Sequence, residues 1–369
     1  MSAQRVVLVS PYALSVYGGV QEQVLAMSRV LTSRGRDVLI VAPDASDVAT
    51  YDTPAKLVRL GPRWSFPANG SKAPLTLSFV ATSRAKAAVD AFKPDVVHFH
   101  EPFAPLLGWA TLWGHDHPAL GTFHRSGDGP ALRWTKVVLE RLATRLDDCV
   151  SVSESAASTI RFATGIDSDV LFNGFETERF VATPRERGDE TTLLYVGRLE
   201  ERKGVAVAIS AVREHNARGG APWHLVIVGD GPQRNALRSL AGSDQKIVFL
   251  GRVSDQAKRE WLRRVDVLLT PSTHGESFGL VILEGFASET MVVSSDIDGY
   301  REAASGHATL FNPGDAASMQ EAISRALKDE DPAKIGAARR YAERWSMDAL
   351  MDAYDEHYEQ AIQRFRATR

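Results

Sequence analysis

Cysteine is almost absent. The single thiol, Cys149, has no partner for an intrachain disulfide and no metal-ligand pattern beside it, which fits a reducing compartment. Long hydrophobic runs are absent too. No stretch approaches the roughly 20 apolar residues that a membrane-spanning helix needs. Neither sign of charge dominates: 43 Lys and Arg against 46 Asp and Glu leave a net −3, so nucleic acid is not an expected partner. There is no low-complexity tract and no short-period repeat. A G-x-G-x-x-G fingerprint is also missing. The two turns where it would stand, Gly18-Gly19 and Gly229-Asp230-Gly231, stop short of it, which disfavours a dinucleotide oxidoreductase. No leader-like segment precedes the apolar run at Arg5, so a cytoplasmic location is expected.

What is present is an alternation. Short apolar runs at 5–10, 38–41, 57–60, 95–100, 120–124 and 149–152 read as strands, and amphipathic stretches between them read as helices. After a polar, charged stretch at 183–190 the alternation restarts, with strands at 192–196, 223–228, 247–250, 265–269 and 291–293. The C-terminal part is helical, at 316–327, 333–344 and 347–366. At 369 residues the chain is long enough for two full cores. The expected fold is α/β: two doubly wound, Rossmann-like parallel-sheet domains, 1–173 and 174–369, facing a cleft. The last helix is expected to pack back on the first domain. Residues 61–74 read as a Pro/Gly-rich connection, followed by a helix over 75–92. One flank of that helix carries Arg84, Lys86 and Lys93 opposed by Asp90. A solvated face and a weak contact with an anionic membrane surface both fit it.

Ligands of open α/β sheets collect at the carboxyl ends of strands. In the first half this places Tyr12, Gly19, His100, Glu101, His124 and Arg125 at that edge, while His98 points to the opposite face from Phe99 and reads as structural. In the second half it places Gly197, Arg198, Lys203, Asp230, Val253, Asp255, Lys258, Glu276 and Glu284 there. The densest stretch is Gly275-Glu276-Ser277-Phe278-Gly279, a strand-to-helix turn, with Glu284 about two helical turns on. A helix starting there directs unpaired N–H groups and its positive dipole end at an anion. The two glutamates read either as sugar-hydroxyl acceptors or as a helix-dipole carboxylate and a solvated surface group. Arg198, Lys203 and the helix N-terminus would together neutralise a diphosphate without metal. Asp255 would accept the adjacent N–H groups of a guanine, and Val253 would lie on the base face. Asp296-Ile297-Asp298 imitates a metal-binding D-x-D but reads as a helix-capping turn.

With these residues in view, the whole chain resembles the retaining glycosyltransferases of family four, which have the GT-B fold. The resemblance is carried by Gly275-Glu276-Ser277-Phe278-Gly279 with Glu284, by Gly197-Arg198 with Lys203-Gly204, and by Gly18-Gly19. Pro11-Tyr12, Asn69-Gly70-Ser71, Thr122-Phe123-His124, Phe172-Asn173-Gly174 and Val253-Ser254-Asp255 with Lys258 are most similar to the members that move mannose from GDP-mannose onto an inositol lipid. The resemblance implies a hexosyltransferase with a nucleotide-sugar co-substrate and no metal cofactor. It assigns the diphosphate to Arg198 and Lys203, the donor sugar and phosphate to Glu276 and the amides of Phe278, Gly279, Leu280 and Val281, and the ribose to Glu284. It gives guanine to Val253, Asp255 and Lys258, close approach of the diphosphate to Gly19, and transition-state stabilisation to His124. Tyr12, Gln21, Asn69, Ser71, Lys72 and Arg202 would face a polyol or glycolipid acceptor. Such an enzyme would sit in the cytoplasm or peripherally on the inner face of the plasma membrane.

The sequence departs from that subgroup after Asn69-Gly70-Ser71, where Pro74 and Thr76 replace arginines expected to hold the acceptor. A soluble acceptor with a UDP-sugar donor stays open on these residues. So do a nucleotide-sugar epimerase or hydrolase using the same cleft, and a nucleotide-binding module without chemistry.

Overall fold

The computed structural model describes residues 3–15, 19–43, 51–60, 64–68, 71–75, 79–104, 107–124, 130–180, 190–276 and 279–368. The chain divides into two compact units: unit 1 is Met1–Gly174 with Met347–Arg369, and unit 2 is Phe175–Ser346.

Unit 1 opens with β1 (Arg5–Val9), α1 (Gly19–Ser33), β2 (Asp37–Ala42) and β3 (Lys56–Arg59). There follow β4 (Trp64–Ala68), β5 (Ser71–Leu75), α2 (Phe79–Phe92), β6 (Val96–His100), α3 (Leu107–Gly114) and β7 (Ala119–Phe123). It continues through α4 (Pro130–Ala143), β8 (Asp148–Ser151), α5 (Glu154–Thr164) and β9 (Asp169–Val170). Seven strands form one parallel sheet in the order β3-β2-β1-β6-β7-β8-β9. The order reverses between β1 and β6, so the carboxyl ends of these two strands flank the switch point. Val6 to Val9 are all buried, which is why this run reads as continuous rather than alternating. Each such side chain contributes roughly 1.5–3 kcal/mol of apolar burial. Ser153 caps α5, its hydroxyl accepting from the Ala156 N–H.

Unit 2 holds β10 (Thr191–Val196), α6 (Val205–Ala217), β11 (Trp223–Val228), α7 (Arg234–Ala241), β12 (Ile247–Gly251), α8 (Asp255–Arg264) and β13 (Val267–Thr270). Next come α9 (Leu280–Ala287), β14 (Met291–Ser295), α10 (Asp298–Ala304), β15 (Thr309–Phe311), α11 (Ala316–Lys328) and α12 (Pro332–Glu343). Its six parallel strands run β12-β11-β10-β13-β14-β15, with the switch between β10 and β13.

The last helix, α13 (Met347–Ala367), belongs to unit 1. Met347, Leu350, Met351, Tyr354, Tyr358 and Ala361 enter the core formed by α1 and one sheet face. The Arg36 guanidinium grips Asp355 with two bonds, 2.5 and 2.7 Å.

Three local expectations fail. The connection at 61–74 contains a hairpin: β4 and β5 pair antiparallel from Trp64↔Leu75 to Ala68↔Ser71. Only two residues, Asn69-Gly70, separate the strands; that dipeptide is a hairpin signal that the Pro and Gly content obscured. The following helix consequently begins at Phe79, because Leu75 ends β5. Helix α3 was not foreseen: Leu-Gly-Trp-Ala-Thr-Leu-Trp-Gly is apolar nearly all round and shows no helical period. No helix among the described residues is long and apolar enough to cross a membrane.

Candidate active site

In unit 2 the candidate groups gather at the switch point. β10 ends at Val196 and releases Gly197-Arg198; β13 ends at Thr270 and releases the turn holding Glu276. Lys203 precedes Gly204, whose φ is +65° and whose absent Cβ would lie 1.9 Å from the Pro271 carbonyl oxygen. Only glycine permits that approach, and it draws Lys203 to the exit of β13. Lys203 Nζ lies 2.6 Å from Glu276 Oε1, and Arg202 Nη1 donates to the same oxygen at 2.8 Å. Arg202 Nη1 also donates to the Gly275 carbonyl at 3.1 Å. Glu200 holds both arginines, Arg198 at 2.8 Å and Arg202 at 3.2 Å. Three cations thus face two carboxylates, leaving a positive balance where an anion would bind.

Beneath the turn lies a hydroxyl chain. Ser272 Oγ donates to Glu276 Oε1 at 3.1 Å and lies 2.8 Å from the Tyr300 hydroxyl. The serine proton is used on Glu276, so Tyr300 donates to Ser272. The Tyr300 ring also underlies Gly279, the residue before α9. A Cβ at Gly279 would lie 2.6 Å from that ring, at a φ of +90°. The turn therefore approaches its floor as closely as glycine allows, and α9 starts with its first amides beyond Glu276. Burial, then the Glu276 carboxylate, raise the Tyr300 phenol, keeping it a donor.

One helical turn away, Lys258 Nζ lies 2.7 Å from Glu284 Oε1 and 3.2 Å from Asp255 Oδ1. Asp255 also pairs with Arg259. Burial works to raise the Asp255 carboxyl, but Lys258 and Arg259 outweigh it and hold it below the usual range. Ser254 caps α8 through the Ala257 N–H at 3.1 Å, fixing Asp255 and Lys258 on the first turn. Val253 is partly buried against the core beside them.

In unit 1 the candidates follow the strand ends. Gly19 is the first residue of α1, and a Cβ there would meet nothing within 4 Å, so its surroundings are open. Tyr12 sits on a turn whose backbone is bonded by Ser10, its N–H 3.3 Å from Ser10 Oγ. Gln21 is buried, with one N–H of Nε2 donating to the Ala13 carbonyl at 3.4 Å. Ser71 and Lys72 are on β5. Asn69 and Phe278 lie outside the described residues.

His124 follows β7. Its N–H donates to Glu101 Oε1 at 2.5 Å, and its Nε2 lies 3.1 Å from His100 Nδ1. Glu101 holds a positive φ of 48° just past β6, an uncommon backbone for a residue with a Cβ. Burial pushes the His124 imidazole down to about 4, so it is neutral near pH 7. His98 is fully buried, bonded to Tyr358 and Thr122, as a core histidine should be.

Four supporting groups were not assigned from sequence: Glu200, Ser272, Tyr300 and His100. Only His100 carried a signal, its place at a strand end. Asp296 and Asp298 are both held by Arg301, at 2.7 and 2.9 Å, and α10 shows no side-chain cap. The capping role expected of them is thus replaced by an ion-pair role.

The sequence matches the family described as Glycosyltransferase Family 4 over residues 17–179 and Glycosyl transferases group 1 over 190–329. A phosphatidyl-myo-inositol mannosyltransferase from Propionibacterium freudenreichii is 31% identical, over 99% of this chain and 97% of that protein. The chain belongs to the family-four glycosyltransferases. The Mycolicibacterium smegmatis phosphatidyl-myo-inositol mannosyltransferase is 33% identical to this glycosyltransferase, over 92% of the chain and 89% of that protein. A glycosyltransferase from Rickettsia africae gives a TM-score of 0.74 at 18% identity, covering 97% of this chain and 98% of that one. The Anabaena protein HepE, solved with UDP and glucose, gives 0.68 at 17%, covering 96% and 99%. These likenesses establish the GT-B class of fold. The enzyme is a hexosyltransferase.

Proposed function

We propose that this glycosyltransferase moves mannose from GDP-mannose to the inositol ring of a phosphoinositol lipid, with retention and without a metal cofactor. The observation that carries the reading is identity of 31–33% to phosphatidyl-myo-inositol mannosyltransferases along 92–99% of the chain. In this reading Arg198, Lys203 and the N-terminus of α9 take the diphosphate. Glu276 accepts hydrogen bonds from the sugar, Glu284 from the ribose, and Asp255 with Lys258 and Val253 holds guanine. Gly19 leaves room for the diphosphate, and His124 serves the donor sugar. Tyr12, Gln21, Asn69, Ser71, Lys72 and Arg202 remain the acceptor set, although Arg202 in this arrangement braces the Glu276 turn.

The bond from the anomeric carbon to the β-phosphate oxygen breaks, and the bond to the acceptor oxygen forms on the same face. The acceptor proton passes to the leaving phosphate. The protein's contribution is placement and fixed charge at the departing diphosphate. The exposed cations of α2 and Lys93 just past its end would add a weak, salt-sensitive attraction to an anionic bilayer; Lys86 is already engaged with Asp90 at 2.7 Å, which leaves Arg84 on the helix and Lys93 beyond it.

The test is transfer from GDP-mannose to phosphatidylinositol vesicles, with and without EDTA, beside UDP-glucose and a water-soluble glycerophosphoinositol. Mannolipid formed from GDP-mannose alone, indifferent to EDTA, supports the reading. Turnover only with the UDP-sugar overturns the donor, and turnover only with the soluble acceptor overturns the lipid.

A further inference from the structure

Three histidines, two on β6 and one just past the end of the neighbouring β7, stack in unit 1. His98 and His100 have ring centroids 4.4 Å apart, and His100 and His124 5.4 Å apart. His98 is immobilised from α13: its Nδ1 meets the Tyr358 hydroxyl at 2.9 Å, and its Nε2 meets Thr122 Oγ1 at 2.7 Å, itself 2.9 Å from the Tyr354 hydroxyl. His100 is almost completely buried. Its Nδ1 lies 3.1 Å from His124 Nε2, while its Nε2 is buried with no hydrogen-bond partner among the described residues.

That orphaned nitrogen decides which way the proton lies. A neutral imidazole carries one N–H and one bare nitrogen. If His124 donated to His100 Nδ1, the His100 proton would sit on Nε2, a buried donor with nothing to bond. If His100 donates from Nδ1, its buried Nε2 is a bare acceptor, the less costly group to leave unmatched. We infer that His100 is a positioning residue that donates from Nδ1 to His124 Nε2, and so fixes His124 as the Nδ1–H tautomer. His124 then presents an N–H, and its only lone pair is already engaged. It acts as a hydrogen-bond donor to the transferring sugar and not as a base. Burial keeps both rings neutral, with His124 down at about 4 and His100 held well below the usual imidazole range, so the arrangement holds across neutral pH. The tyrosines of α13 belong to this device, since they hold the ring on which His100 stacks.

The catalytic consequence rests on the proposed role of His124, whereas the tautomer does not. Nitrogen-15 NMR of the histidine-labelled full chain reads the tautomer directly, with His124→Asn assigning the resonance. An Nδ1–H signal for His124 at pH 7.5 is expected; an Nε2–H tautomer or an imidazolium overturns the inference, whether or not any sugar is transferred. Turnover is then compared in two variants. His100→Asn keeps an N–H near the Nδ1 position and should retain kcat within about threefold. His100→Leu removes it and should lower kcat by about 10- to 100-fold, the usual range for a supporting hydrogen bond, with KM for GDP-mannose little changed. Equal kcat in both variants, or an equal loss in both, overturns the positioning role. No mannosyl transfer by the wild-type chain would overturn the functional reading alone, and the NMR result would still decide the tautomer.

Discussion

At the sheet edge of unit 1 the working groups are neutral rings packed against one another; at the sheet edge of unit 2 they are ions held in pairs. His98, His100 and His124 stack with burial suppressing their charge. Glu276 lies 2.6 Å from Lys203 and Glu284 2.7 Å from Lys258, so each carboxylate there is matched by a lysine. A buried unpaired charge is expensive, and the two units solve that problem differently. Unit 1 gives up the charge and keeps directional N–H groups. Unit 2 keeps the charge and supplies a counter-ion, which under the proposed function a diphosphate or sugar would replace or join.

The contrast is most open to attack by acid. Burial, assisted by the neighbouring His124 and His357, lowers His98 to about 3; burial lowers His115 and His124 to about 4. In the unfolded chain these histidines take up protons below about 6.5, whereas the folded chain refuses them until pH 3–4. Stability is therefore full above 6.5 and falls as pH drops through that value toward the folded pKa. The loss for each such histidine is about 1.4 kcal/mol per pH unit, or about 2 kcal/mol at pH 5. Asp255 in unit 2 is shifted the other way. Its contribution is present above about 3.8 and fades only as pH falls further. Hydrogen exchange followed from pH 7.5 to 5, corrected for intrinsic rates, should show β6 and β7 losing protection before β10 and β13. If unit 2 opens first, the comparison is wrong.

The ionic half is broken by removing one cation. Lys203→Ala should lower kcat by roughly 100-fold or more, the usual cost of deleting one charge-stabilising group. It should leave the melting temperature within a few degrees, because Lys203 is at the edge of the fold and Arg202 still holds Glu276. Steady-state turnover and a thermal melt check this together. An unchanged kcat would mean that the Lys203–Glu276 pair only braces the turn.

A finer probe separates charge from shape at the same turn. Gly279→Ala keeps every ion but asks for a Cβ 2.6 Å from the Tyr300 ring at a φ of +90°. The strain, about 1–2 kcal/mol, should push Glu276 off its Ser272 contact and cost roughly tenfold in kcat. Tyr300→Phe combined with it should not restore activity, since the ring stays in place. Kinetics of the single and double variants decide the matter.

How much of this was readable from the chain depends on how local the signal is. The strands announced themselves because runs such as Val6 to Val9 and Val226 to Val228 are buried on both faces. Gly275 to Gly279 was legible because a strand, a glycine turn and a helix start are adjacent in sequence. Helix α3 was not legible, since a helix apolar on all sides has no period. Ser272 and Tyr300 are ordinary residues 28 positions apart, and nothing short of β13 and β14 lying side by side brings them together. His98 could be read as structural by alternation, but the His100–His124 bond depends on the register of β6 against β7.

The smallest effect tests whether ion pairs in unit 2 matter merely by being ion pairs. Arg301 holds Asp296 and Asp298, yet it is half exposed and Asp298 fully so. Such exposed pairs contribute little because solvent screens them and two long side chains must be ordered. Arg301→Ala should shift the melting temperature by no more than a degree or two and leave kcat and KM for GDP-mannose unchanged. It would also free two carboxylates with D-x-D spacing, so turnover of the variant should be measured with and without added manganese. A loss of activity that manganese does not touch would mean that α10 steadies Tyr300, and through Ser272 the Glu276 turn, by way of these pairs. The functional ions of unit 2 would then extend beyond the strand edge to a surface helix, and the contrast with the closed histidine stack of unit 1 would be the sharper for it.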